Sequence, residues 1–222
     1  MKWTLPNILT VLRLIAAPSM VVLFLYFNRP YADWFALLLF VVASITDYFD
    51  GQLARSWKQE TKFGAMLDPI ADKAMVTIAL LVIIGFSSLS ASLVLPATLI
   101  LFREIFVSGL REYLGNSAKT LQVTDLAKWK TFAQMVAIAT LFSQGIFEHY
   151  LAMSALNLDP LLVQDILNET GSDELGLRWK HQAMLWSGQA GFWLLWLATT
   201  LTLYTGFVYF KKAWPLLQEG KQ

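Results

Sequence analysis

Cysteine is absent from this chain of 222 residues. Its absence excludes disulfide bonds, thiolate metal ligands and a cysteine nucleophile, and it leaves the redox compartment undetermined. Charged residues make up only 15% of the chain, and the formal net charge is +1 with no block of basic residues, so nothing favours a nucleic-acid partner. The sequence contains no internal repeat, no low-complexity tract and no strand-like alternation that would predict a β-barrel.

Apolar residues, in contrast, are abundant along the whole chain. They make up 56% of it, which is typical of a polytopic membrane protein rather than an ordinary soluble domain. Six apolar segments reach the length of about 20 residues that a helix needs to cross a bilayer, and they lie at about residues 7–27, 34–54, 65–86, 91–110, 126–156 and 183–210. We therefore predict an all-α fold with six transmembrane helices in one domain over residues 1–222, including a short amphipathic segment at residues 1–6 and a polar outer loop at residues 157–182.

The positive charges indicate an orientation for these helices. If the N-terminus is cytoplasmic, six crossings leave only Arg29, Arg178 and Lys180 on the outer side, while all the other lysines and arginines lie on or toward the inner side. Cytoplasmic loops of membrane proteins carry such an excess of Lys and Arg. The sequence therefore predicts that both termini are cytoplasmic.

Four aspartates lie in or beside two of the apolar segments. Asp47 and Asp50 are three residues apart and Asp68 and Asp72 are four apart, so each pair occupies one face of a helix. Ionised groups are costly in such surroundings and are usually paired, metal-bound or functional. Four converging carboxylates would take up protons unless cations were bound. Because no Cys or His lies nearby, the oxygen ligands favour a hard ion such as Mg²⁺, Mn²⁺ or Ca²⁺ over Zn²⁺.

Small and basic residues lie between the two aspartate pairs. Gly51, Ala54 and Gly64 permit a ligand or another backbone to approach closely. Basic residues here could bind a phosphate or a nucleotide, and an arginine can do so bidentately. These basic residues are Arg55, Lys58 and Lys62. The alternative is that Gly51 weakens a helix end and that the basic residues only mark the cytoplasmic border.

Together these residues resemble the signature of a known family. The string Asp47-x2-Asp50-Gly51-x2-Ala54-Arg55-x8-Gly64-x3-Asp68-x3-Asp72 is similar to the complete motif of the CDP-alcohol phosphotransferases, with every position occupied. The resemblance implies that the four aspartates hold a pair of divalent metal ions, Mg²⁺ or Mn²⁺, on a CDP diphosphate, and that Asp72 also deprotonates the acceptor hydroxyl. It implies a homodimer, and it implies contacts to CDP from Asp47, Asp50, Gly51, Ala54, Arg55, Thr61, Gly64 and Asp68.

A polar stripe runs along the first apolar segment. Asn7, Thr10 and Arg13 recur every three residues and therefore share one helix face. The stripe could contact a phosphate or a metal site. An ordinary helix N-terminus together with a snorkelling arginine would explain the same pattern without a function.

A second polar constellation follows the aspartates in the chain. Arg103 and Arg111 are eight residues apart on the fourth segment, close enough in angle to share a helix face, and Lys128 and Lys130 lie at the start of the fifth segment. Such a group could bind a doubly charged phosphate monoester. The positive-inside rule alone would also place basic residues at these positions.

Both polar groups are similar to strings of the bacterial phosphatidylglycerophosphate synthases within that family. The similar strings are P-N-I-L-T-V-L-R near the start and R-E, L-R-E and K-W-K-T-F-A-Q later, within about residues 5–139. This resemblance implies transfer of a phosphatidyl group from CDP-diacylglycerol to sn-glycerol 3-phosphate at the cytoplasmic face of a bacterial inner membrane, in contact with membrane lipids. The acceptor-phosphate contacts it implies are Asn7, Thr10, Arg13, Arg103, Arg111, Lys128 and Lys130.

Three other functions remain open at this stage. Within the family, the acceptor could be inositol phosphate, serine or a second phospholipid. An ion or proton transporter could also use intramembrane acids, but it would distribute them across the membrane depth and in repeated halves. A non-catalytic membrane scaffold would leave the eight-position motif unexplained.

Overall fold

A computed structural model describes residues 4–56, 61–87, 90–115 and 125–219 of the chain. In these ranges the regular secondary structure is helical and no strand occurs, which confirms the all-α prediction for this part of the chain. The helices are α1 (Leu5–Tyr26), α2 (Tyr31–Ser56), α3 (Lys62–Phe86), α4 (Ala91–Leu114), α5 (Asp125–Ala155), α6 (Pro160–Leu167) and α7 (Leu177–Glu219).

Capping residues explain where several helices begin and end. Thr61 precedes α3, and its Oγ1 accepts a hydrogen bond of 3.0 Å from the backbone N–H of Gly64, as an N-cap residue does. Asp159 caps α6 in the same way, with a hydrogen bond of 3.0 Å from the N–H of Leu161. Gly115 follows α4 at a φ of 50°, a conformation that glycine adopts without steric cost.

Four of the described helices are long and apolar enough to cross a membrane. They are α1, α3, α4 and α7. The remaining two predicted spans coincide with α2 and α5, which have 26 and 31 residues and therefore sufficient length, but part of each helix lies outside the described side chains. Among the residues that the structure describes, multiple membrane spans are thus supported, and the count of six stays a prediction.

The outer loop differs from its predicted extent. The sequence predicts a polar loop over residues 157–182 that could carry a short surface helix; α6 lies within this range, and α7 begins at Leu177 rather than near residue 183. The polar residues that follow Leu177 belong to the first turns of a helix whose buried side includes Leu177 itself, which has no exposed surface. The polar residues after Leu177 therefore belong to an amphipathic helix and not to a loop. At its other end α7 continues to Glu219 rather than ending near residue 210.

The chain divides into two compact units. The first unit comprises Met1–Ile83 and Ile138–Gly191, and the second comprises Ile84–Ala137 and Phe192–Gln222. The prediction of one membrane domain over residues 1–222 stays a prediction.

Aromatic rings and a buried ion pair hold the first unit together. The ring of Phe142 on α5 lies 6.2 Å from that of Phe24 on α1 and 6.1 Å from that of Phe40 on α2, measured between centroids. The guanidinium of Arg29 donates two hydrogen bonds to the carboxylate of Asp33, of 2.8 Å and 2.5 Å. Asp33 is only 1% exposed, so this bidentate pair neutralises a charge that lies inside the unit.

Gly145 allows α5 to approach this ion pair. A Cβ atom at Gly145 would lie 2.6 Å from Nη2 of Arg29 and 2.7 Å from Oδ1 of Asp33. Real Cβ atoms do not approach other heavy atoms this closely, so the backbone of α5 can pass the pair only at a glycine.

Threonines line the buried side of α7 in the second unit. Thr199, Thr202 and Thr205 are all buried. Oγ1 of Thr199 donates to the carbonyl of Leu195 at 2.7 Å, and Oγ1 of Thr205 donates to that of Leu201 at 2.8 Å. These bonds satisfy the hydroxyl protons within the helix. The hydroxyl oxygens can still accept hydrogen bonds from neighbouring helices.

Asp173 links the segment between α6 and α7 to the start of α7. Its carboxylate accepts hydrogen bonds from the backbone N–H of Leu177 at 2.7 Å and of Arg178 at 3.1 Å. Desolvation raises the pKa of Asp173, but these hydrogen bonds and the charge of Arg178 outweigh it and lower the pKa below its ordinary value of 3.8.

The first turn of α7 should therefore lose protection in acid. A carboxylate with a depressed pKa contributes stability above its ordinary pKa, and that contribution disappears as the pH falls through the lower, folded value. We expect the amides of Leu177 and Arg178 to exchange faster, after correction for intrinsic rates, as the pH falls below about 4. Hydrogen exchange read by mass spectrometry measures this, and Asp173→Ala, which removes both acceptor oxygens, should show the fast exchange already at neutral pH. Equal protection in both proteins at pH 7 would contradict the assignment.

Candidate active site

The four aspartates of the motif lie on two helices of the first unit, as the spacing predicts. Asp47 and Asp50 are on α2, and Asp68 and Asp72 are on α3. The side chains of Asp47 and Asp72 are partly exposed, to 35% and 44% of their surface. Partial exposure leaves both carboxylates accessible to a ligand.

The polar stripe of α1 faces these helices and not the lipid. Asn7, Thr10 and Arg13 are all at least 96% buried. Oγ1 of Thr10 donates to Oδ1 of Asp68 at 2.7 Å. Such burial excludes a snorkelling role for Arg13, whose guanidinium lies inside the unit.

Arg13 joins the two aspartate-bearing helices. Its Nη1 donates to Oδ1 of Asp72 at 2.8 Å and also to Oδ1 of Asp47. One nitrogen atom thus lies within hydrogen-bond distance of a carboxylate from α2 and of another from α3. The two carboxylates therefore converge on a single cationic position.

Asn7, Thr61 and Gly64 form the edge of this site. Oγ1 of Thr61 donates to Oδ1 of Asn7 at 2.9 Å. A Cβ atom at Gly64 would lie 2.7 Å from the same Oδ1 atom, so α1 and α3 approach each other closely at a glycine. Gly64 is therefore required for packing, whether or not it also contacts a nucleotide.

The donor set suits a hard divalent cation. Carboxylate oxygens from two helices already converge on one positive charge, and oxygen donors are the ligands that Mg²⁺ and Mn²⁺ prefer. Among the described side chains no third acid joins Asp47 and Asp72 to complete a metal-binding group. The predicted ligand Asp50 lies where the structure describes only the backbone of α2.

Several predicted contacts fall outside the described side chains. Gly51, Ala54 and Arg55 belong to the end of α2, of which only the backbone is described, and Lys58 lies outside the described residues altogether. Their roles stay predictions.

The second unit brings two of the predicted basic residues, Arg103 and Lys130, together around an acid. Glu104 on α4 accepts a hydrogen bond of 3.2 Å from Nη1 of Arg103 and another from Nζ of Lys130 on α5. Arg111 lies about two turns after Arg103 on α4. Its guanidinium is 5.1 Å from the ring centroid of Tyr209 on α7. Lys128, by contrast, is exposed, and its predicted role is not tested.

The sequence analysis did not single out the residues that position these cations. Nη2 of Arg103 donates to Oγ1 of Thr205 at 3.1 Å, and a Cβ atom at Gly206 would lie 2.8 Å from Cγ of Arg103. Thr202, Thr205 and Tyr209 recur at helical spacing on α7, which is a signal that pattern analysis can use. Nothing in the local sequence marks Gly206.

Comparison with known proteins agrees with the motif. The model of the family described as CDP-alcohol phosphatidyltransferase matches residues 3–162. A protein from Cereibacter sphaeroides is 54% identical over 221 residues, which cover 100% of both chains. A protein from Rickettsia bellii is 38% identical over 207 residues, or 93% of each chain. A protein from Haemophilus influenzae is 40% identical over 161 residues, or 71% of this chain and 84% of the relative. All three bear the name CDP-diacylglycerol–glycerol-3-phosphate 3-phosphatidyltransferase.

Proposed function

Since this chain belongs to the CDP-alcohol phosphatidyltransferase family, we propose that it transfers the phosphatidyl group of CDP-diacylglycerol to sn-glycerol 3-phosphate, giving phosphatidylglycerophosphate and CMP. The observation that carries the proposal is the convergence of Asp47 and Asp72, two carboxylates of the family motif, on one cationic position in the first unit. The similarity to full-length relatives that are named for this reaction supports the choice of acceptor.

The aspartates of α2 and α3 would bind the family's divalent cation, which we propose to be a pair of Mg²⁺ or Mn²⁺ ions. The proposed ligands are Asp47, Asp50, Asp68 and Asp72. A bound cation pair supplies neutralisation of the diphosphate and of the oxygen on which CMP departs. The diphosphate and cytidine contacts proposed beside these ligands are Gly51, Ala54, Arg55, Thr61 and Gly64.

Asp72 would act as the general base. Its carboxylate is 44% exposed, so an acceptor hydroxyl can reach it. It takes the hydroxyl proton while the oxygen bonds to the phosphorus that bears diacylglycerol, and the bond from that phosphorus to the CMP oxygen breaks. In the metal-free structure, Nη1 of Arg13 donates a hydrogen bond of 2.8 Å to Oδ1 of this carboxylate.

The charges of the second unit favour a phosphorylated acceptor. Arg103, Arg111 and Lys130 carry three positive charges, and the acid that contacts this group within the described residues is Glu104. The described contacts of this group thus include more positive than negative charge, and a charge within a membrane helix is usually paired. A phosphate monoester carries close to two negative charges at neutral pH and would balance it. Serine, which has no phosphate, would not.

Arg111→Ala should weaken acceptor binding selectively. The substitution removes a charge-assisted contact to phosphate, so we expect the KM for sn-glycerol 3-phosphate to rise about tenfold or more, while the KM for CDP-diacylglycerol changes less. Steady-state CMP release with each substrate varied in turn measures both. Lys212→Ala, at an exposed lysine of α7, is the matched control and should change neither constant. An equal rise of both KM values would refute the assignment of Arg111 to the acceptor.

The membrane setting that we propose follows from the positive charges. Six crossings with both termini in the cytoplasm would open the aspartate site to the cytoplasmic face of a bacterial inner membrane, where a soluble acceptor is available. The acyl chains of CDP-diacylglycerol would stay among the membrane lipids. The resemblance to the family further implies a homodimer.

Parallel assays of CMP release test the proposed function. The purified chain in detergent receives CDP-diacylglycerol with Mg²⁺ or Mn²⁺ and one of three acceptors: sn-glycerol 3-phosphate, inositol phosphate or serine. We expect metal-dependent release with sn-glycerol 3-phosphate alone. Release with another acceptor would retain the aspartate site and overturn the acceptor. A folded protein that releases no CMP with any of them would overturn the reaction.

A further inference from the structure

The contact of Arg13 with two motif carboxylates has a role of its own, apart from the binding of substrate phosphate. Its side chain is 2% exposed and lies on the buried face of α1, while the side chains of Asp47 and Asp72 keep solvent-exposed surface. A ligand that approaches from solvent therefore reaches the same two carboxylates that Arg13 contacts.

Geometry makes the two cations competitors. Oδ1 of Asp47 and Oδ1 of Asp72 both direct a lone pair at one nitrogen, Nη1 of Arg13. A divalent cation that used both oxygens would have to lie near that nitrogen, and the like charges would repel each other strongly at such a distance. The guanidinium must then move away, or the cation must lose one of the two ligands.

We propose that Arg13 is a resident counter-cation of the aspartate site, which holds Asp47 and Asp72 together in the metal-free protein and is displaced when a divalent cation binds both of them. The inference rests on the proposed function, because it takes these aspartates as metal ligands. Arg13 is in this view a positioning residue: it keeps α2 and α3 from separating under the repulsion of their carboxylates, and it weakens metal binding by competing for the same oxygens.

Metal affinity without substrate tests the inference. Free Mn²⁺ is measured by electron paramagnetic resonance in titrations of the full chain in detergent. We expect Arg13→Gln to bind Mn²⁺ more tightly than the unmodified protein, by about tenfold or more, the size of one charge-assisted hydrogen bond. Arg13→Lys keeps the charge but loses the planar fork and should fall between the two. Arg29→Lys, which alters the other described arginine–aspartate pair of the first unit, is the matched control and should leave Mn²⁺ affinity unchanged.

Thermal unfolding supplies a second readout. In EDTA, Arg13→Gln should unfold at a lower temperature than the unmodified protein, because its carboxylates lack a counter-charge. Addition of Mn²⁺ should raise the Tm of Arg13→Gln by more than it raises the Tm of the unmodified protein. If Arg13→Gln is not recovered in folded form, Arg13→Lys gives the same comparison. An affinity for Mn²⁺ that is equal or weaker in both Arg13 variants would overturn the inference. The predicted order of affinities in a protein that releases no CMP would retain it and overturn the proposed function alone.

Discussion

Asp72→Asn should abolish turnover and leave the binding of CDP-diacylglycerol largely intact. Asparagine has the size of aspartate and can still accept the hydrogen bond of 2.8 Å from Arg13, so the local packing survives. It cannot take a proton from the acceptor hydroxyl. A positioned general base contributes about 10²–10⁴-fold to a rate, so we expect kcat to fall by at least about 10³-fold. CMP release gives kcat, and binding of the lipid nucleotide to the detergent-solubilised protein gives its affinity.

Asp68→Asn separates the role of a base from that of a metal ligand. Asp68 accepts a hydrogen bond from Thr10, and we assign it to metal binding only. Its activity should recover in part at high Mn²⁺, whereas that of Asp72→Asn should not. Asp165→Asn, on α6, is the control and should keep full activity. Recovery of Asp72→Asn at high metal to the level of Asp68→Asn would show that Asp72 is a ligand and not the base.

Asp33→Asn should destabilise the first unit measurably, although it lies outside the active site. The carboxylate of Asp33 is 2% exposed and accepts two hydrogen bonds from Arg29. The loss of a hydrogen bond to a charged group costs about 1.5–3 kcal/mol, and the guanidinium that remains is 29% exposed and still interacts with Glu148. We expect a loss of this size in the free energy of unfolding. Denaturant titration in detergent, followed by circular dichroism, measures it.

A double replacement distinguishes ion pairing from simple packing at this position. Exchange of both partners of a buried pair for apolar residues of similar volume is often neutral. Arg29→Met combined with Asp33→Leu should therefore recover most of the stability that Asp33→Asn loses, and CMP release per folded molecule should be normal in both. A loss below about 0.5 kcal/mol in Asp33→Asn would place Asp33 among ordinary surface substitutions and contradict its burial.

Local sequence signals predicted most of the fold, because long apolar segments without strand-like alternation form helices in a membrane. Each predicted segment coincides with a helix, and the pairs Asp47/Asp50 and Asp68/Asp72 lie on helices as their spacing requires. The same signals misplaced the start of α7, because polar residues after Leu177 look alike in a loop and on the outer face of a helix. The length of the segment between α5 and α7 depends on the burial of Leu177, which only packing determines.

For the site, the sequence by itself determined which chemistry is possible. A complete motif of acids, small residues and an arginine at constant spacing specifies oxygen ligands and a phosphate-binding surface, because spacing along a helix sets which residues share a face. The shared helix face of Asn7, Thr10 and Arg13 could also be predicted, because it follows from their spacing alone. The residues that this stripe contacts could not be predicted from spacing.

Only the tertiary structure decided which of these groups meet. Arg13 lies 34 residues from Asp47 and 59 from Asp72 in the chain, and no local pattern encodes the position of one nitrogen between two helices. The same holds for Glu104 between Arg103 and Lys130, and for Gly206, whose lack of a side chain makes room for Arg103. Charge pairing is set by the packing of distant helices, so sequence named the charged residues, while packing selected their counter-charges.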